Sequence, residues 1–289
     1  MTRIVALMLA IFTVLCTFVA CEEKGSDTDK GTEAVTESDA ATEGGEADVE
    51  PEEVYLLTKE TCYNTAGEVQ YRKEYERNEA GNSLKLTRYN ADGSVYSYIK
   101  YGRDAEGKLI SYTAYSADGT VESKYEYEYD ADGNNTVQYT RKPNGEPWYQ
   151  HNYEYDADGN ETKETLVNED GSISWWAYSE YVGGKLVKRS EYNSSGSLSS
   201  WEEHAFDADG NEIIHTYCNS NGSIESFTEY GYDADGNMIS CTEYDSDSNL
   251  DARYTYEYDA NGNKVKTTRY NSFDTVADYT VHEYVKIVK

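Results

Sequence analysis

The stretch "YEYDADGN", residues 127–134, returns as "YEYDADGN" at 153–160, "AFDADGN" at 205–211, "GYDADGN" at 231–237 and "YEYDANGN" at 256–263. Its first half alternates. In "KYEYEYD" the rings of Tyr125, Tyr127 and Tyr129 face one way, while Lys124, Glu126 and Glu128 face the other. That period of two predicts a strand, not a helix. Its second half is turn chemistry, because Asp and Asn bond their own backbone and Gly accepts positive φ.

From residue 54 onward the pattern repeats every 26 residues, with one slip at "YVGGK". One series of loop glycines includes Gly81, Gly107, Gly133, Gly159, Gly184, Gly210, Gly236 and Gly262. A second series lies between them, from Gly67 to Gly222, and Ser248 and Asp274 take its last two places. Each repeat therefore reads as a longer strand, a turn, a shorter strand and a turn. Loops this short join antiparallel neighbours, since a parallel pair needs a crossover of a dozen or more residues. The expected fold is all-β: a repetitive antiparallel β-hairpin meander of roughly 18 strands. So wide a sheet does not stay flat, because twisted sheets of more than about 10 strands curl. We expect it to coil into a spiral or half-pipe whose inner face carries Tyr and Val, Ile or Leu. The final strand would be an open edge guarded by Lys286 and Lys289.

Two segments precede the repeats. Residues 1–21 have a basic start at Arg3 and an apolar run from Ile4 to Ala20, the layout of a secretory signal. The ending "FVAC" resembles the lipobox of bacterial lipoproteins. The resemblance implies cleavage before Cys21 and a lipid on that cysteine. Residues 22–53 hold thirteen acidic residues against Lys24 and Lys30, a net charge of −11, and no aromatic residue. Such a segment cannot bury a core and reads as an extended acidic linker. The repeat domain takes residues 54–289.

The whole chain of 289 residues has a formal net charge of −30. That excludes nucleic acid as a partner, because phosphate contacts need clustered Lys and Arg. Outside Cys16 and Cys21 only Cys62, Cys218 and Cys241 remain, with neither C-x-x-C nor zinc spacing. Cys218 and Cys241 sit one repeat apart with a strand between them. A meander keeps such residues too far apart to bridge.

The repeats resemble the tyrosine–aspartate (YD) repeats of Rhs-type bacterial surface and secreted proteins. Tyr129/Asp130/Gly133, Tyr155/Asp156/Gly159, Tyr232/Asp233/Gly236 and Tyr258/Asp259/Gly262 carry the match, with Phe206/Asp207/Gly210 close to it. The resemblance implies a broad β-sheet and an extracellular bacterial setting. The repeat here is longer than the family's.

For chemistry the sequence offers little. His151, His204, His215 and His282 show no zinc-type spacing, and His204 and His282 stand where other repeats have Tyr75, Tyr127 or Tyr230. No nucleophile elbow, phosphate loop or H-E-x-x-H occurs. The chain is therefore expected to be non-catalytic, without cofactor or metal. The role expected is that of a cell-surface scaffold whose partners are the membrane, through the lipid at Cys21, and a cell-wall glycan or surface protein. Trp148, Trp175, Trp176 and Trp201 fall in three consecutive long strands and form the candidate ligand stripe for a carbohydrate-binding alternative. A second alternative is a calcium-stiffened stalk. "DADGN" supplies alternating acidic oxygens, although its Gly comes one place too early for an EF-hand.

Overall fold

A computed structural model describes residues 53–288. The signal segment, Cys16, Cys21 and all of the acidic linker except Glu53 lie outside the described residues. Eighteen strands follow one another, and no helix occurs among the described residues. They are β1 (Glu53–Asn64), β2 (Val69–Arg77), β3 (Ser83–Asn90), β4 (Val95–Arg103), β5 (Leu109–Ser116) and β6 (Val121–Tyr129). Next come β7 (Asn135–Arg141), β8 (Pro147–Tyr155), β9 (Glu161–Asn168), β10 (Ile173–Val182), β11 (Lys185–Asn193) and β12 (Leu198–Phe206). The chain ends with β13 (Glu212–Asn219), β14 (Ile224–Tyr232), β15 (Met238–Asp245), β16 (Leu250–Tyr258), β17 (Lys264–Tyr270) and β18 (Val276–Val288).

Each strand pairs antiparallel with the next, and β18 returns to pair with β1. The sheet is thus a closed barrel and not the spiral or half-pipe expected from the sequence. Closure follows from accumulated twist and from the two terminal strands, the longest in the barrel at 12 and 13 residues. They pair from Glu53↔Val288 to Asn64↔Asp278, with one bulge at Leu57/Lys59. Lys286 does not guard a free edge. It lies opposite Tyr55 and ion-pairs with Glu53. Backbone contacts among the described strands run only between ladder neighbours.

Turn geometry explains the motif. In each "DADGN" loop the first Asp donates its N–H to the Asn carbonyl and accepts from the Gly N–H; at Asp130 these bonds are 3.0 and 3.3 Å. Asp130 Oδ1 also accepts from the N–H groups of Asp132 and Asn134, and Oδ2 from Asn134 Nδ2. These bonds, led by that of the Asn134 side chain, hold the Asp130 carboxyl below its ordinary range. Gly133 sits at φ 94°, which a side chain would strain. Ser248 and Asp274 take the same left-handed region at φ 64° and 55°. The slip at "YVGGK" is a shorter turn. Val182 lies opposite Lys185, and Gly183 and Gly184, both at positive φ, form a two-residue reversal.

The Tyr before the Asp is a latch. Tyr129 donates its hydroxyl to the Leu109 carbonyl at 2.6 Å, one short strand back. Tyr155, Tyr181, Tyr232, Tyr258 and Tyr284 do the same, each to the carbonyl 20 residues upstream. In the first repeats Arg77 and Arg103 reach the equivalent carbonyls through Nε. Phe206 has no hydroxyl. There Lys185 lies over the ring and donates to the Gly210 carbonyl.

Residues opposite one another on the ladder share a wall. One wall carries Tyr125, Tyr127, Tyr153 and Glu164, the other Lys124, Glu154 and Lys163. Exposure tells inside from outside. Side chains of Glu60, Glu164 and Glu202 on the first wall are 2%, 15% and 16% exposed. Those of Glu76, Glu154 and Glu257 on the second are 61%, 62% and 58% exposed. Tyr therefore lines the inside as expected, and its burial pushes the Tyr127 phenol up to about 12. Aliphatic residues line it only in part: Leu86, Ile99 and Leu166 stand on this wall, whereas Val69, Leu84, Ile110, Ile173, Ile239 and Val276 lie exposed near strand ends. Register shifts at those ends turn them out of the alternation.

Candidate functional site

The densest chemistry on the inner wall runs from β8 to β14. His151 and Glu164 meet at 2.6 Å on the β8–β9 hairpin. Arg189 on β11 reaches Glu164 at 2.5 Å and Glu202 on β12 at 3.1 Å. The reach from β11 to β9 passes over β10 at Ala177, which is 1% exposed and stands opposite both Glu164 and Glu191. Other repeats put Tyr125 or His151 in that slot, and either would block the path. Burial works against the Glu164 charge, yet His151 and Arg189 hold its carboxyl below the ordinary range. Neighbouring Glu161 goes the other way, raised by burial and by Glu164.

The row continues on β12 and β13. His204 and His215 stand directly opposite one another on the ladder. Their rings are parallel, 5.3 Å apart at 4°. Glu212 Oε1 lies 2.5 Å from His204 Nδ1, and the Tyr230 hydroxyl lies 3.0 Å from His215 Nδ1. One ligand-capable atom from each of His204, Glu212 and His215 falls within 4.8 Å of the others. Burial, then repulsion by His204, drives the His215 imidazole down to about 3, so it stays neutral. Linear spacing rules missed this set because it forms across a hairpin. The signal was the turn at Gly210, which sets residue 204 against residue 215.

A second cluster closes the barrel at β18–β1–β2. Glu60 accepts from the Tyr75 hydroxyl at 2.5 Å and sits 3.2 Å from Lys73 and 3.3 Å from His282. His282 Nε2 lies 3.1 Å from Thr267. His282 does occupy a slot given elsewhere to Tyr, where it joins this buried network.

The four tryptophans do not form one stripe. Trp175 faces inward, edge-on to His151 and beneath Arg189. Trp176 faces outward and stacks on Tyr192 at 5.9 Å. Trp201 is also outside, under Lys188. Trp148 sits in the bulge that opens β8, against Tyr149, and is 50% exposed. Adjacent residues on a strand point to opposite faces, so Trp175 and Trp176 cannot share one. Cys218 is buried and lies opposite Trp201 on the outer wall. Cys241 lies opposite Tyr230 on the inner wall. The two cysteines are on different faces.

No family model matches the sequence, and no curated relative matches it. Among solved structures, the TcdB2-TccC3-Cdc42 complex is similar over 81% of this chain, at 14% identity and a TM-score of 0.34. This chain spans 15% of that toxin chain. A porin-like protein from Bacteroides uniformis matches over 81% of this chain and 96% of its own, at 12% identity and a TM-score of 0.45. A second, from Bacteroides vulgatus, matches over 80% and 99% at 11% identity and a TM-score of 0.32. At these scores the likeness assigns no function. The barrel's own residues establish what it is: a closed, repetitive antiparallel β fold.

Proposed function

We propose that this chain is a non-catalytic scaffold that stands in water at a bacterial envelope, tethered by a lipid on Cys21 through the acidic linker. The observation that carries it is the outer wall. Oppositely charged residues face each other there in register: Glu76↔Lys85, Glu154↔Lys163, Glu257↔Lys266 and Lys59↔Glu283. Lys124 and Glu126 add charge in mid-strand. A lipid-facing barrel needs an apolar band about 25 Å tall, and a Lys or Arg near its midplane costs about 2–4 kcal/mol. The mid-strand charges of Lys59, Glu283, Lys124 and Glu126 argue against lipid along this wall and support attachment through the N-terminus instead. Among the described residues, no helix is long and apolar enough to cross a membrane. Among the described residues both rims carry only short turns, which favours a scaffold over a loop-built active site.

The test is membrane fractionation of the full chain beside Cys21→Ser, with metabolic fatty-acid labelling. The proposal expects labelled wild type in the membrane fraction and unlabelled, carbonate-extractable variant. A variant that resists extraction would mean that the barrel or its signal inserts, and the reading would fall.

Carbohydrate binding is the second reading. An outward cluster supports it: Trp176 stacks on Tyr192, and Tyr178, 47% exposed, meets the same ring edge-on at 6.0 Å. Co-sedimentation with insoluble polysaccharides tests it. Loss of pelleting in Trp176→Ala, but not in Trp175→Ala, would favour the outer cluster.

A further inference from the structure

We propose that His204, Glu212 and His215 form a binding site for a zinc-type divalent cation on the inner wall of β12–β13. Two imidazoles and one carboxylate are the donor set of an open zinc site, with three protein ligands and a fourth position for water. Calcium and magnesium prefer oxygen, so two imidazole donors select against them.

The geometry is close to closed. Metal–ligand bonds of about 2.0–2.2 Å place tetrahedral ligand atoms roughly 3.3 Å apart. The three atoms already lie within 4.8 Å of one another, so side-chain rotations suffice and no backbone need move. The backbone is fixed independently. His204 and His215 are opposite one another on a continuous ladder, and the Glu212 carbonyl accepts the Tyr232 latch at 2.8 Å. Tyr230 holds Nδ1 of His215, the kind of outer hydrogen bond that orients a metal-bound imidazole. The pair is also singular in the wall. Equivalent cross-strand positions hold Tyr75 with Leu86, Tyr101 with Tyr112, Tyr127 with Gln138 and Tyr153 with Glu164. The repeat sets a pair of histidines in register only here.

An ion so placed would tie β12 to β13 and neutralise Glu212. The acidic turns are a different matter. Their leading Asp oxygens already accept turn hydrogen bonds, and they offer only hard donors.

The experiment is titration of the folded full chain with Zn2+ by calorimetry and with Co2+ by visible absorption. Wild type runs beside His215→Gln, Glu212→Gln and the control His151→Gln, each checked by circular dichroism. Calcium is titrated in parallel. The expected result is one tight site per chain, with the intense visible bands of four-coordinate Co2+. The site should weaken more than about tenfold in Glu212→Gln and His215→Gln, because loss of a mere outer-shell partner already costs that much. It should persist in His151→Gln. Should His215→Gln fail to fold, the partly exposed Glu212 variant still decides. Absence of Zn2+ and Co2+ binding by wild type, or binding indifferent to Glu212→Gln, would overturn the proposal.

Discussion

Glu154 and Glu164 belong to the same β8–β9 hairpin and live in different solvents. Glu154 faces out, 62% exposed, against Lys163 at 2.5 Å. Glu164 faces in, 15% exposed, held between His151 and Arg189. The outer pair keeps most of its hydration, so forming it gains little and losing it costs little. The inner group has given up water and depends on its partners. The two walls thus use the same residue types for different ends. Outside, oppositely charged residues meet in register across neighbouring strands. Inside, it cross-links strands that are not ladder neighbours.

The largest effect should follow from breaking the inner cross-link. Arg189→Met leaves Glu164 and Glu202 facing each other without their shared cation. Thermal or urea unfolding should show a loss of about 3 kcal/mol. Adding Glu164→Gln and Glu202→Gln should return most of it, because the two like charges that Arg189 separated are then gone. A triple variant no better than Arg189→Met would mean that Arg189 acts by packing alone.

His215 should give the inner wall a pH dependence. Its folded value of about 3 lies below the ordinary 6.5. Above pH 6.5 neither state holds the proton and the stability is fully present. As pH falls from 6.5 toward 3, the unfolded chain takes up a proton that the folded chain refuses, and stability declines. Between pH 7 and 5 the loss is about 2 kcal/mol. Unfolding of wild type and His215→Phe, with chelator present, should differ by that amount between the two pH values, wild type losing more. Parallel curves would remove His215 as the cause.

Much of this was legible in the sequence, and what was not has a physical reason. Glycine spacing and Tyr alternation predict the eighteen strands and the inward tyrosines, because turns and periodicity are local. Closure is not local. It rests on β1 and β18, more than 200 residues apart, finding a common register from Glu53↔Val288 onward. The Trp148/Trp175/Trp176/Trp201 stripe failed on simple alternation, since consecutive tryptophans must part. Arg189–Glu164 was hidden because its geometry depends on Ala177, a residue notable only for what it lacks. The three metal-capable residues were hidden in linear spacing but recoverable from hairpin register.

The latch sharpens the comparison at the rim, where the inner wall ends. Tyr232→Phe should cost about 1 kcal/mol, the ordinary worth of a hydrogen bond. Phe206→Tyr should recover a similar amount by donating to the Leu186 carbonyl, 20 residues upstream. Ser248→Gly should stabilise by about 0.5 kcal/mol, since a left-handed Ser is strained and the gain is offset by a freer unfolded chain. Chemical unfolding of each variant checks these three signs.

The smallest effect should come from the outer wall, and it decides whether the walls are correctly assigned. Glu154→Gln removes one of the in-register pairs, yet Glu154 is well solvated and Lys163 keeps part of its water. The expected cost is under about 0.5 kcal/mol, vanishing at high salt as the pair is screened. Glu164→Gln, ten residues on, leaves the mostly shielded Arg189 with one carboxylate fewer and should cost several times more, with little salt dependence. Equal costs in low salt would mean that both carboxylates see the same solvent. The inside of the barrel would then have to be as wet as its outside.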